Sequence, residues 1–356
     1  MISFVMQRGS SSGKGRYNAV SSPAGGLWFL GLTDFPRRAQ EVECRRKIKV
    51  RRMTANKPKL VSLLANWYSG ATLLTILLNG HSQIVSNGET MFFDENDGRR
   101  YDCSCGRYID ECEFYEATTG HMRLPGAVDW DKRLFVQAPG FSRKPVIRSL
   151  LESPRFESAL RQQIISAIPA YRRARDRFLQ AQLQFFANAR RFVGASIYLD
   201  GTKSIRRAQL FARDDRCEMK AIHMVRDGRG FCVSYRKHMR PEPTWSDAAG
   251  AWLSYIEQVD RFSRAFPSVP VLEVRYEDLC RSTAEVIRSV CQFLEIPYEE
   301  SGSDVMKDAH ILGNRMRRTF SGTIVEDTSW REKLDDETQL ELTSLMKHQL
   351  KRFGYL

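Results

Sequence analysis

An α/β domain with a central, mostly parallel sheet flanked by helices is the fold class this sequence predicts. Three observations carry that prediction. Short, largely apolar runs recur at 60–65, 196–199, 221–225 and 269–274, the pattern of strands buried on both faces of a parallel sheet. Helical periodicity appears between and after those runs, at 71–78, 150–192 and 283–294, so strands alternate with helices. The chain has 356 residues, 42% hydrophobic and 27% charged, enough apolar material for the core of one large domain. That composition excludes wholesale disorder, a collagen-like repeat and a small disulfide scaffold, and no internal repeat is present.

Taken in order, residues 1–58 are rich in Ser, Gly and Arg without a sustained period. They read as a flexible basic tail ahead of a domain at 59–356. The net charge of +13 belongs to that tail, because residues 1–59 hold 13 Lys and Arg against Asp34, Glu41 and Glu43. The other 42 basic and 39 acidic residues nearly balance, so no nucleic-acid-binding face is expected. Gly9-Ser10-Ser11-Ser12-Gly13-Lys14 hints at a phosphate loop, but it lacks Walker spacing and neither follows a strand nor precedes an apolar helix. Met53 stands just before the first ordered segment and is a second candidate start.

The run at 60–65 is the first strand. A turn at 66–70 leads to a helix over 71–78 that Asn79-Gly80 ends. The stretch 150–192 is amphipathic and is interrupted at Pro169. A helix beginning near Gly228 follows the 221–225 strand, and the 283–294 helix follows the 269–274 strand.

No charged residue lies between Lys59 and Glu89, and basic residues cluster just before, as in a membrane anchor with its positive end inside. Asn66, Ser69, Gly70, Asn79, Gly80 and His81 interrupt it, and the clean apolar runs are far shorter than a span, so no membrane span is expected. The apolar stretch at 27–32 is short and lacks a clear cleavage site. Eight Cys enforce no oxidising compartment, and Cys217, Cys232, Cys280 and Cys291 sit singly in apolar stretches; a cytoplasmic location is expected.

Chemistry concentrates at two places. In the strand–turn–helix at 60–78, Gly70 lets the backbone approach a ligand, and Ser69 and Thr72 offer hydroxyls. The N–H groups of the first helical turn have no internal partners, and with the helix dipole they form an anion site suited to phosphate. In His223-Met224-Val225-Arg226-Asp227-Gly228-Arg229, a strand end delivers Arg226 to the crevice, where it could pair with a phosphate, and Ser234 follows on a helix. The alternative for Arg226-Asp227 is an ordinary surface turn.

Together these elements resemble a family. Ser69-Gly70-Ala71-Thr72-Leu73-Leu74 is similar to the 5′-phosphosulfate loop of the PAPS-dependent sulfotransferases, and Val225-Arg226-Asp227 with Ser234 is similar to their 3′-phosphate motif. Asp200-Gly201-Thr202-Lys203-Ser204, Val274-Arg275-Tyr276-Glu277-Asp278-Leu279 and Gly313-Asn314-Arg315-Met316-Arg317 with Trp330 resemble three further segments, in the same order over 60–335. The bacterial-type and carbohydrate-type branches are the nearest. The resemblance implies a three-layer P-loop-like sulfotransferase fold and transfer of a sulfuryl group from PAPS to a hydroxyl or amine, with PAP as product. It implies that Ser69, Gly70, Ala71, Thr72 and Leu73 hold the 5′-phosphosulfate, that Arg226 and Ser234 hold the 3′-phosphate, and that Arg315 and Arg317 are further phosphate ligands. The acceptor would be a carbohydrate, a lipid, a small metabolite or a protein tyrosine.

The family usually has Lys or Arg just before the Ser-Gly pair, where this chain has Tyr68, a neutral hydrogen-bond donor. Lys203 is the expected replacement cation, with Tyr68 beside it. Glu89, in Asn87-Gly88-Glu89-Thr90, is the expected base, because several family members place a Gly-Glu pair there. A non-catalytic PAPS- or PAP-binding protein is the alternative that Tyr68 favours; a P-loop-like small-molecule kinase is disfavoured by the missing Walker lysine. No metal is assigned to the reaction. Cys103-Ser104-Cys105-Gly106 with Cys112 is read first as a local structural knuckle, and zinc there would need a fourth ligand from elsewhere.

Overall fold

The computed structural model describes residues 57–90, 101–119, 159–300 and 309–356. The expected basic tail therefore lies outside the described residues except for its last two, as does the 150–158 start of the expected long helical stretch.

Five strands form one sheet: β1 (Lys59–Ala65), β2 (Ile84–Val85), β3 (Ile197–Asp200), β4 (Glu218–Val225) and β5 (Val271–Arg275). Their order is β2-β3-β1-β4-β5, and every pairing is parallel. The central strand β1 shows why its sequence is apolar without alternation. Leu60 and Leu64 enter the core on one face, while Val61, Leu63 and Ala65 enter the core on the other. Both faces are covered, so both sets of side chains must be apolar.

One face is covered by α4 (Pro169–Val193), preceded by α3 (Ala159–Ala167), and by α5 (Ile205–Ala212). Pro169 starts α4 at a position where its missing N–H costs nothing, and Gly194 ends it in the left-handed conformation. Phe178, Phe185 and Phe186 of α4 pack toward Tyr198 and Phe211. The other face is covered by α1 (Ala71–Asn79) and α9 (Thr283–Leu294). A third apolar cluster joins α6 (Gly228–His238), α7 (Trp245–Ala265) and α12 (Asp336–Arg352). The short helices α2 (Glu113–Thr119), α8 (Tyr276–Arg281), α10 (Met316–Thr319) and α11 (Trp330–Lys333), with a single 3-10 turn at Ile109–Glu111, complete the described set.

The α/β expectation with a parallel sheet and flanking helices holds. The strands expected at 60–65, 196–199 and 269–274 are each found within a residue or two, and α9 has the expected bounds. β4 begins three residues earlier than its apolar run because Glu218 and Lys220 lie near the end of the sheet, where polar side chains reach solvent. The stretch tested as a membrane anchor is instead β1, the turn and α1. Among the described residues no helix is long and apolar enough to cross a membrane.

Candidate functional site

β1 and β4 are parallel neighbours, so their carboxyl ends open side by side, the edge at which open α/β sheets bind ligands. From β1 comes the turn 66–70. Gly70 has φ 83°, and a Cβ on it would lie 2.4 Å from Tyr276 Cδ2 and 3.0 Å from Met224 Cε. Only glycine both adopts that backbone and lets the ring pass so close. Ser69 is buried, and α1 begins at Ala71. Ala71 and Leu73 face the core and Thr72 is half-buried, so what this turn could offer a ligand is mainly backbone N–H groups.

From β4 comes Arg226, only 6% exposed. One terminal nitrogen donates to the Tyr68 carbonyl at 3.0 Å and to Ser234 Oγ at 3.3 Å. The other donates to the Asp327 carbonyl at 3.0 Å and its carboxylate at 2.9 Å. The guanidinium lies 4.8 Å from the centre of the Tyr276 ring, and Trp252 Nε1 donates to the Arg226 carbonyl at 3.1 Å. Asp227 caps α6 by accepting from the Arg229 N–H at 2.9 Å, while its own N–H donates to Glu277 at 3.0 Å. Arg226-Asp227 is thus a buried joint between strand and helix and not a surface turn. Burial alone would raise the Asp327 carboxyl, but the Ser329 hydroxyl and Arg226 outweigh it and hold the group at about 2. The guanidinium therefore already faces an anion.

Tyr68 has φ 60° and stacks on His238, with ring centres 4.8 Å apart. Burial, then Tyr235 nearby, pushes its phenol above the usual range, so it is a neutral donor at ordinary pH.

The second cluster surrounds Glu89. Here the segments 87–90, 200–203 and 311–313 approach closely through glycines. A Cβ on Gly88 would lie 2.4 Å from the Leu312 carbonyl, and one on Gly313 would lie 2.9 Å from Glu89 Oε1. Leu312 N–H donates to the Asn87 carbonyl at 2.8 Å, and Glu89 N–H donates to the Leu312 carbonyl at 3.3 Å. Lys203 forms an ion pair with Glu89, both side chains being nearly buried, and the Lys203 carbonyl accepts from Tyr255 at 3.0 Å. Among the described residues three that are not glycine adopt the left-handed conformation, and two of them are Tyr68 and Lys203. Backbone strain of that kind concentrates at functional sites.

The sequence expectations meet this geometry unevenly. The 69–73 turn, Arg226 and Ser234 come together. Glu89 and Lys203, expected as base and cation, are paired with each other. Lys203 is not joined to Tyr68 among the described contacts; Tyr68 is turned to His238. Arg315 is exposed at the start of α10. Arg317, expected to bind phosphate beside it, is buried instead. Its guanidinium donates to the Gly313 carbonyl at 2.5 Å and to the Asp102 carboxylate at 2.9 Å, and it lies over the Tyr101 ring. Paired in this way it holds the 313–317 loop to Asp102.

Four residues took no role in the sequence reading. Tyr276 fills the space that Gly70 leaves and supports Arg226. Glu277, with its carboxyl raised by burial, fixes the Asp227 N–H and accepts from Tyr355 at 2.8 Å. Both lie in the Arg-Tyr-Glu-Asp-Leu segment, which was legible although their partners were not. Asp327 and His238 carried no sequence signal.

Residues 217–300 match the model of the sulfotransferase family. No match was found among curated proteins. Among solved structures, the chain is similar to the sulfotransferase domain from the curacin biosynthetic pathway, at 17% identity over 82% of this chain and 99% of that one, TM-score 0.43. It is also similar to sulfotransferase STF9 from Mycobacterium avium, at 14% identity over 84% and 77%, TM-score 0.41. A third is mouse sulfotransferase SULT7A1 complexed with PAP, at 10% identity over 83% and 84%, TM-score 0.35. The family match runs from the strand that delivers Arg226, through the helix that carries Ser234, to the segment holding Tyr276 and Glu277. Over residues 217–300, then, the chain is similar to the sulfotransferase family.

Proposed function

We propose that this protein is a sulfotransferase that uses PAPS and passes its sulfuryl group to a hydroxyl or amine of a small-molecule or glycan acceptor. One observation carries the reading: the family-matched joint at Arg226 meets the 66–70 turn, the Arg226 guanidinium donating to the Tyr68 carbonyl and Ser234 at once. A cation and a hydroxyl thereby stand beside a helix N-terminus, and the glycine that opens that helix has no room for a Cβ. This donor set fits a nucleotide with two separate phosphate groups.

When bound, PAPS supplies the sulfuryl group and a phosphate leaving group. The chain contributes positioning and charge, as in phosphoryl transfer. The N–H groups at 71–73 and the Ser69 and Thr72 hydroxyls hold the 5′ end. Arg226 exchanges Asp327 for the 3′-phosphate, with Ser234 donating beside it, and exposed Arg315 is available as a further phosphate ligand. Glu89 takes the proton from the attacking acceptor. Lys203 is paired with Glu89 beforehand, and once Glu89 has taken the proton the Lys203 ammonium is no longer neutralised. Its charge is thus released as negative charge builds on the departing oxygen.

A second reading is favoured by Tyr68, which is neutral and stacked on His238 where the family usually has a cation. In that reading the chain binds PAPS or PAP without turnover. Calorimetric titration tests what the two readings share: PAP should bind at least about tenfold more tightly than ATP, a difference near 1.4 kcal/mol. Equal or reversed preference would remove both.

A further inference from the structure

We propose that Cys103, Cys105, Cys112 and His310 form a structural zinc site that anchors the 311–313 segment packed against Glu89. The sequence offered three thiols and no fourth ligand; the fold supplies it from 198 residues downstream of Cys112. The three Sγ atoms and His310 Nδ1 all lie within 4.8 Å of one another. Cys105 Sγ is 3.7 Å from Cys112 Sγ, and His310 Nδ1 is 3.2 Å from Cys112 Sγ and 3.7 Å from Cys103 Sγ. A tetrahedral zinc with bonds of about 2.3 Å to sulfur and 2.0 Å to nitrogen separates its ligands by roughly 3.5–3.8 Å, so little movement is required. All three cysteines are free thiols.

The surroundings are built around the cluster. Gly106 N–H donates to the Cys103 carbonyl at 3.0 Å and Cys103 N–H to the Arg107 carbonyl at 2.9 Å, which folds the first two cysteines into a tight knuckle. Gly106 takes φ 87° there. Ser104 grips the opposite segment from both sides: its hydroxyl donates to the Ala309 carbonyl at 2.6 Å and accepts from Ile311 N–H at 2.8 Å. The His310 ring stacks on Phe114 with centres 4.9 Å apart, and its carbonyl accepts from Tyr115 at 2.8 Å. These contacts fix the imidazole before any metal arrives, as the outer partners of metal ligands do. Cys103 and Cys112 are buried and Cys105 closes the solvent side.

Four protein ligands leave no open position, so the ion would be structural, not catalytic. Two residues beyond His310, Leu312 bonds Asn87 and Glu89, and Gly313 packs on the Glu89 carboxylate. Holding His310 therefore holds the 311–313 segment against Glu89.

The test is metal analysis of the full-length protein purified under reducing conditions. About one zinc per chain is expected, with an X-ray absorption spectrum of three sulfur neighbours and one nitrogen. Cys112→Ser and His310→Ala should each retain less than about a fifth of it. Removing the metal with a chelator should speed amide exchange at 309–317 and leave exchange in α9 unchanged. If the variants do not fold, the wild-type stoichiometry and spectrum decide alone. Reduced wild type that takes up less than about a tenth of an equivalent of added zinc would overturn the proposal. So would a Cys105–Cys112 disulfide in protein that binds no zinc, or zinc that stays bound when Cys103 and Cys112 are both replaced.

Discussion

Arg226 is where the chemistry of single residues is most exposed to test. Its guanidinium is buried, aimed at the 66–70 turn and balanced by Asp327. Arg226→Ala should weaken PAP by about 2–4 kcal/mol, as for a buried charged partner. Adenosine 5′-phosphosulfate, which lacks the 3′-phosphate, should lose much less in the same calorimetric comparison. An equal loss for both would reduce Arg226 to a support of the fold. Asp327 gives a pH signature with a definite sign. Its folded value, about 2, lies below the ordinary 3.8, so its stabilisation is complete above about pH 4 and fades as pH falls toward 2. Asp327→Asn should therefore be less stable than wild type at pH 5 and indistinguishable near pH 2 in chemical denaturation. A stability difference that ignores pH would mean the carboxylate charge is irrelevant there.

At this scale the sequence showed residue types but not partners. Gly70, Arg226 and Ser234 were legible because strand–turn–helix geometry fixes where they point. Lys203 was legible as a charge, yet its pairing with Glu89 depends on β3 and the 87–90 segment converging, which no local pattern encodes. The pairing of Arg317 was hidden for the same reason: nothing near it in sequence announces Asp102, 215 residues away.

Among the elements, the strand–turn–helix from β1 to α1 was read nearly to the residue, because a continuous apolar run, a glycine and a second apolar run leave few alternatives. β2 is two residues long and gives no period to detect. The α7 helix was not assigned, although its capping box was visible in sequence, Thr244 and Asp247 each satisfying the other's backbone N–H. Such caps mark a start but do not show which helices pack together. The β1–α1 turn carries a prediction of its own. Gly70→Ala puts a methyl 2.4 Å from Tyr276 Cδ2 at a φ that only glycine takes easily. Urea denaturation should show a loss of at least about 1–3 kcal/mol, together with weakened PAP binding. Unchanged stability would mean that the turn relaxes and that Tyr276 does not set it.

For the whole molecule, the fold class was legible because a doubly covered parallel sheet imposes its apolar runs on the sequence. The division of charge motivates a proposal about the first residues: the domain at 59–356 works without them. A chain starting at Met53 should keep its melting temperature and its PAP affinity; a large loss of either would show that the tail belongs to the domain.

Sulfate transfer itself is the measurement that bears most directly on this account. The protein is incubated with PAPS and pooled carbohydrate, lipid, metabolite and peptide acceptors, and products are screened by mass spectrometry for a gained sulfate. Wild type should modify at least one acceptor, and Lys203→Ala should slow that transfer by roughly a hundredfold while PAP affinity falls little. If wild type binds PAP and sulfates nothing, while Tyr68→Lys gains transfer, the chain is a binding protein and the enzyme reading fails.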